Sequence, residues 1–511
     1  RDSMQLYKQF CNEEFNSDNT LKSFKLKFED NYNFGYDVLD KMAEKAPNDI
    51  ALVWTNPEGE ERIFTFADLS RLSNKAANVF LKYGIKKGDR VLLMLKRNYE
   101  YWYIVTALHK LGVVAIPATN MLTAEDISYR VNVANIKMAV CTPDSETIEH
   151  LLTAANQENS LKTVFVARED FDGAVNITKE IEAASDELER VETKADEPML
   201  IYFTSGTTGY PKAVVHNHIY SLCHIISAKY WQNVKEGGLH FSIAETGWAK
   251  ASYGKIYGQW LCGCAVMAFD FDKFSPSKIL KVIEKFKVTS FCAPPTAYRY
   301  FVKKGMQKYD LSSLEYLTTA GEALNPIVAE AVYQQTGLHP MEGYGQSETT
   351  LLIANLNGTH GKTGSIGKPS PMYNIKLVDS NGDEVKQGET GEIVVVPPKD
   401  RKQYGIFTGY IGDEQMYHYA WRNGMYHTND TAYMDEDGYF WYVGRADDLI
   451  KTRGYRVGPF EIENVLMKHP AVLECAVIGV PDDSRGQAIK AIIKTCLLYT
   501  SDAADDSLRV D

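Results

Sequence analysis

The chain has 511 residues, 44% of them hydrophobic, so it can bury a large core and exceeds a single ordinary domain. Its 55 Lys and Arg against 67 Asp and Glu leave a formal net charge of -12, which argues against nucleic acid or an anionic membrane as partner. No uninterrupted apolar run reaches membrane-spanning length, since even residues 105–117 contain His109 and Lys110.

No signal peptide opens the chain, and Arg1-Asp-Ser-Met4 reads as preceding a natural start. Eight cysteines are scattered without a C-x-x-C pair or a Cys/His cluster at zinc-ligand spacing, which suits reduced thiols and a cytoplasmic location. Short apolar runs at 50–54, 91–95, 113–117 and 138–141 predict strands. They alternate with helical patterns such as 66–83, where Phe66, Leu69, Leu72, Ala76, Val79 and Phe80 share a face. Thr65 is placed to cap that helix, with Asp68 in its first turn. The alternation implies an α/β protein whose mostly parallel sheets are covered on both faces. Residues 185–197 are charged and aperiodic, a solvated connection into the next strand at 199–203. A second change of composition follows Asp435-Glu-Asp-Gly438, where 439–443 predicts a last strand before Gly444-Arg-Ala-Asp-Asp448.

The strand at 199–203 runs into Phe203-Thr-Ser-Gly-Thr-Thr-Gly-Tyr-Pro-Lys212. Gly206 and Gly209 let the backbone turn and present successive N–H groups. Thr204, Ser205, Thr207 and Thr208 add hydroxyl donors, Tyr210 and Pro211 follow, and Lys212 supplies a cation. That set suits a nucleotide phosphate. A Walker A loop is excluded, because two residues rather than four separate the glycines and Tyr-Pro precedes the lysine.

The loop resembles the phosphate-binding signature of adenylate-forming enzymes: acyl-CoA synthetases, peptide-synthetase adenylation domains and firefly-type luciferases. The likeness runs from about residue 34 to residue 494, with further motifs in family order, and is closest to the medium-chain and related short- or branched-chain acyl-CoA synthetases. It implies a large multi-layer N-terminal domain over 1–446 and a small α+β lid over 447–494 that turns about Asp447, leaving 495–511 as a tail outside the family pattern. It also implies ATP, Mg²⁺ and coenzyme A as cofactors.

In Thr319-Ala-Gly-Glu-Ala323 and Glu342-Gly-Tyr-Gly-Gln-Ser-Glu348 the resemblance places the segments flanking adenine: Gly321, Glu322 and Ala323, then Glu342, Gly343, Tyr344, Gly345, Gln346 and Ser347. Tyr344 offers a stacking face and Glu348 a hard oxygen for Mg²⁺, the alternative for Glu348 being an exposed acid at a helix start. Asp430, in His427-Thr-Asn-Asp430, matches the acid that takes both ribose hydroxyls. Asn429 replaces the family's glycine there and tolerates left-handed backbone, which leaves the placement of Asp430 open. Arg445 and Arg456 match arginines near the phosphates or ribose, with a plain surface role as the alternative. Trp248, in Glu245-Thr-Gly-Trp248, and Ala293, in Cys292-Ala-Pro-Pro-Thr296, match walls of the acyl pocket. Trp248 also reads as ordinary core, and the direction of Lys250 is open. Arg453, Gly454 and Tyr455 resemble the loop lining the CoA tunnel, and Arg485 a CoA-phosphate arginine.

The resemblance implies two half-reactions without a protein nucleophile, in which Thr204, Lys212, Glu348 and Arg456 serve catalysis. A monocarboxylate attacks the α-phosphorus of ATP and expels pyrophosphate; the CoA thiol then attacks the acyl carbonyl and expels AMP. Family members carry a late Pro-Lys-Thr-x-Ser-Gly-Lys segment that this sequence lacks, and its last residues resemble out-of-frame translation, the alternative being a natural short tail. The reading is therefore an acyl-CoA synthetase with an incomplete lid and impaired turnover. The alternatives are an adenylating module for a carrier protein, a luciferase-type oxidoreductase, and an adenylate-binding protein without turnover.

Overall fold

The computed structural model describes residues 5–204, 209–322 and 324–495. Two large sheets organise the fold. One has eight strands in the order Gly409–Tyr410, Lys212–Asn217, Pro198–Thr204, Val114–Pro117, Arg90–Met94, Met138–Cys141, Thr163–Val166 and Val175–Asn176. Pairing is parallel from Pro198–Thr204 to the far edge and antiparallel across Lys212–Asn217 and Gly409–Tyr410. The other has nine strands, parallel from Pro340–Tyr344 through Tyr316–Ala320, Ser290–Cys292, Leu239–Ser242 and Ala265–Phe269 to Ile50–Thr55, with antiparallel ends. Their strands are apolar on both faces, as sheets covered by helices require.

The expected elements form where local chemistry dictates them. The helix Phe66–Lys82 begins with a reciprocal cap: the Thr65 hydroxyl accepts from the Asp68 N–H at 3.1 Å, and the Asp68 carboxylate accepts from the Thr65 N–H at 2.9 Å. Such a cap is worth about 1 kcal/mol. Phe66, Leu69, Ala76, Val79 and Phe80 of its inner face are buried. Residues 185–197 form no helix or strand and are mostly exposed.

A four-stranded antiparallel sheet, Asn374–Val378, Gly391–Val396, Tyr426–Met434 and Phe440–Arg445, follows the nine-stranded one. It ends at Arg445. Five residues later Ile450–Thr452 opens a separate antiparallel sheet with Tyr455–Val457, Val472–Asp482 and Gly486–Thr495, packed by the helix Pro459–Met467. No helix among the described residues is long and apolar enough to cross a membrane.

Candidate active site

Pro198–Thr204 and Lys212–Asn217 form a hairpin whose mouth is the Thr204–Lys212 pair. Met199, Leu200, Ile201 and Tyr202 are buried, so the polar residues begin where the strand leaves the core. Gly209 has φ +123°, a conformation that disfavours any side chain. Tyr210 stacks on Tyr129 at 4.8 Å, and the Tyr129 hydroxyl donates to the Pro211 carbonyl at 3.0 Å, pinning this side of the loop. Ser205, Gly206, Thr207, Thr208 and Ala323 lie outside the described residues.

Behind the hairpin mouth, the Lys212 ammonium stands over the Tyr410 ring, 5.4 Å from its centroid, and the Tyr410 hydroxyl donates to Glu348 at 3.0 Å. Glu348 is neither exposed nor on a helix, which removes the helix-start alternative. Burial pushes its carboxyl above the ordinary range, against the Tyr410 hydrogen bond and the Arg445 charge that favour the anion.

Asp430 is buried at the centre of a second group. Tyr344 and Gln346 donate to one of its oxygens at 2.5 and 2.6 Å, and Tyr442 and Arg445 to the other at 2.7 and 3.5 Å. These four donors match the lone-pair capacity of a carboxylate. Burial nevertheless raises the Asp430 pKa, opposed by Arg445 and the hydroxyl and amide donors. Asn429 takes φ +58°, so the left-handed turn survives without glycine, and its N–H donates to Glu392 at 3.0 Å. Glu392 also bonds His427 at 2.6 Å, which fixes the strand from which Asp430 projects.

Other residues of the adenine-flanking segments sit apart from this cluster. The Glu342 carboxyl is buried and accepts from the Gly364 N–H at 2.9 Å. A Cβ at Gly343 would come within 2.6 Å of Trp231, and one at Gly345 within 2.5 Å of the Tyr253 hydroxyl, so both glycines serve close packing. Ser347 offers its carbonyl to His216 at 2.7 Å. Glu322 accepts from Thr296 at 2.5 Å in an exposed pair.

Of the acyl-pocket candidates, Ala293 follows Ser290–Cys292 at its carboxyl end, as Gly321 follows Tyr316–Ala320, the end at which parallel sheets usually hold ligands. Ala293 is buried there. Trp248 is 47% exposed, which overturns its reading as core. Lys250 turns toward this crevice: its ammonium would stand 2.8 Å from a Cβ at Gly321, which has φ +100°, and its charge acts on Cys292. It has no ion-pair partner among the described residues.

In the C-terminal sheet the Arg453 N–H donates to the Arg485 carbonyl at 2.9 Å, and Thr452 pairs with Gly486. This brings Arg453, Gly454, Tyr455 and Arg485 into one patch, with Tyr455 74% exposed. Arg456 is exposed opposite Lys451. Asp447 faces Arg445 at 3.8 Å. Arg299 and Asn325 donate to the carbonyls of Leu473 and Met467, tying the C-terminal sheet and its helix to the larger part of the chain.

Tyr410, Tyr442, Tyr426 and Glu392 escaped the sequence reading. None stands in a motif that the sequence reading used; contacts between distant strands and loops carry them to Glu348, Asp430, Gln346 and Asn429.

Among the described residues no three His, Cys, Asp or Glu side chains converge on a metal position. The Glu348 carboxylate beside the Thr204–Lys212 hairpin mouth fits Mg²⁺, an ion commonly held by one or two carboxylates together with substrate phosphates and water.

Residues 39–411 match the AMP-binding enzyme family, and residues 461–504 match the AMP-binding enzyme C-terminal domain. The mouse mitochondrial acyl-coenzyme A synthetase ACSM3 is 38% identical over 485 residues, covering 94% of this chain and 83% of that protein. Human mitochondrial ACSM4 is 38% identical over 476 residues, covering 91% and 81%. Among solved structures, the anthranilate CoA ligase AuaEII in complex with anthranoyl-AMP superposes with a TM-score of 0.84 at 27% identity, over 93% of this chain and 89% of that one. The Brucella canis acyl-CoA synthetase gives 0.75 at 27% identity, over 92% and 86%.

Proposed function

The chain belongs to the AMP-binding enzyme family, and from that premise we propose that it is an AMP-forming acyl-CoA synthetase acting on a monocarboxylic acid. The observation that carries this reading is the convergence of Lys212, Glu348, Gln346, Asp430 and Arg445, drawn from separate strands and loops, beside the mouth of the phosphate-type hairpin.

In this reading the 203–212 hairpin receives the triphosphate, with Lys212 as its fixed cation. Glu348 holds Mg²⁺, which neutralises phosphate charge when bound. Asp430 receives the ribose hydroxyls, which exchange for protein donors it already accepts. The acid lies in the crevice between Trp248, Ala293 and Gly321, with Lys250 as the nearby cation. The substrate carboxylate displaces pyrophosphate at the α-phosphorus, and the CoA thiol then displaces AMP at the acyl carbon. With no protein nucleophile, rate comes from alignment and charge stabilisation. The patch of Arg453, Gly454, Tyr455 and Arg485 takes the CoA, and the small sheet turns about Asp447 between half-reactions.

The relatives carry a mitochondrial location in their names, whereas the sequence reading places this chain in the cytoplasm. Both compartments keep the buried free thiols of Cys11, Cys141, Cys223, Cys262 and Cys264 reduced. We retain the cytoplasm as the proposal, to be tested by fractionation.

Incubation with ATP, Mg²⁺ and a panel of acids, with pyrophosphate and CoA thioester measured separately, tests the reaction. Acid-dependent formation of both is expected. Pyrophosphate without thioester would favour a carrier-protein acceptor, and ATP binding with neither product would contradict the synthetase reading.

A further inference from the structure

Tyr410 belongs to none of the motifs that carry the proposed chemistry, yet it touches two residues that do. It lies on the two-residue edge strand Gly409–Tyr410, paired antiparallel with Lys212–Asn217 through Val214 and Val215. Opposite Val214, its ring is a diagonal neighbour of Lys212, and the ammonium stands 5.4 Å from the ring centroid. Its hydroxyl donates to Glu348 Oε1 at 3.0 Å, the only side-chain hydrogen bond that Glu348 receives among the described residues. Two further contacts hold the same strand in place: the Phe407 N–H donates to the Glu348 carbonyl at 2.7 Å, and the Thr408 N–H donates to the Val215 carbonyl at 2.8 Å. The Phe407 ring packs against that of Tyr410 at 4.5 Å.

We propose that Tyr410 is a positioning residue that sets the Glu348 carboxylate for the metal of metal-bound ATP and seats the Lys212 ammonium for its phosphates. This rests on the reading of Glu348 and Lys212 given above. The two parts of the side chain have separable duties. The hydroxyl fixes one oxygen of Glu348, so the carboxylate enters metal binding already ordered. The ring supplies a negative face that restrains a long, otherwise mobile lysine. A group acting only as packing would lower stability without distinguishing the metal, the nucleotide and the acid.

The test is nucleotide binding rather than turnover. ATP affinity is measured by calorimetry across a Mg²⁺ titration and again in EDTA, for the wild-type chain, Tyr410→Phe, Tyr410→Leu and Glu348→Gln. Tyr410→Phe keeps the ring and loses the hydroxyl. It should raise the Mg²⁺ concentration for half-maximal enhancement of ATP binding by roughly threefold to tenfold, the cost of ordering one freed side chain, and leave affinity in EDTA unchanged. Tyr410→Leu should weaken binding in EDTA as well. In a steady-state assay of Tyr410→Phe, KM for ATP should rise while KM for the acid stays fixed. If Glu348→Gln shifts the Mg²⁺ dependence and Tyr410→Phe does not, Tyr410 is packing and the proposal falls. Should Glu348→Gln leave the Mg²⁺ dependence unmoved, the metal reading of Glu348 fails first, and the proposal fails with it. Equal losses for metal, nucleotide and acid in both tyrosine variants, matched by a lower melting temperature, would also overturn it.

Discussion

Phe460 meets the Tyr442 ring edge-on, with centroids 4.9 Å apart, while the Tyr442 hydroxyl donates to Asp430 at 2.7 Å. One tyrosine thus joins the helix Pro459–Met467 of the C-terminal sheet to the carboxylate proposed to hold ribose. Removing the hydroxyl in Tyr442→Phe leaves that buried oxygen only the 3.5 Å contact from Arg445, at a cost of about 1–3 kcal/mol in the free protein. A ribose hydroxyl should fill the vacated position, so the deficit in denaturant stability should shrink with saturating ATP. An equal deficit with and without ATP would place Asp430 outside the nucleotide site.

Lys212→Ala and Glu348→Gln should each weaken use of Mg·ATP more than binding of the acid. Loss of a charge-assisted contact costs about 1.5–3 kcal/mol, or roughly 10- to 150-fold in kcat/KM for ATP. Unchanged ATP kinetics in both variants would remove the assignment of the hairpin.

With 47% of its surface exposed, Trp248 contributes little to the core. Trp248→Ala should therefore change stability by no more than about 0.5 kcal/mol, while altering the preference among acids of different chain length. Lys250→Met should do likewise through loss of the cation beside Gly321. A fixed acid profile in both variants would move the acyl site elsewhere.

Among the described residues, burial disfavours the charged form of five of the six buried histidines. Burial holds His216 and His218 down to about 4 and His240 to about 3, and also depresses His109 and His224 well below the usual imidazole range. The unfolded chain binds protons on these rings from about pH 6.5 downward and the folded chain does not, so stability is full above pH 6.5 and falls as pH drops toward 4. Each ring contributes a slope approaching about 1.4 kcal/mol per pH unit. Denaturant midpoints should hold from pH 7.5 to about 6.5 and fall from there to pH 5, above the range where most carboxylates titrate. A flat profile over that interval would show that these rings are protonated in the folded state.

Features set by neighbouring residues were legible in the sequence. The Thr65–Asp68 cap needs only its own turn, the runs at 91–95 and 138–141 are strands because they are apolar on both faces, and Asn429 accepts the left-handed turn its side chain permits. Side-chain direction and distant pairing were not legible. The turn of Lys250 toward Gly321, the surface position of Trp248 and the withdrawal of Glu342 beneath Gly364 depend on how separate strands align. Tyr344 lies 86 positions from Asp430, and Tyr410 lies 62 from Glu348; no local pattern encodes such pairs.

The central claim, transfer of the acid's carboxylate to the α-phosphorus of ATP, is tested most directly with an acid labelled with ¹⁸O in both carboxylate oxygens. After one turnover with ATP, Mg²⁺ and CoA, mass spectrometry of the AMP should find one labelled oxygen in its phosphate and the other in the thioester carbonyl. Unlabelled AMP, or label appearing in inorganic phosphate, would contradict the adenylate route and with it the synthetase reading.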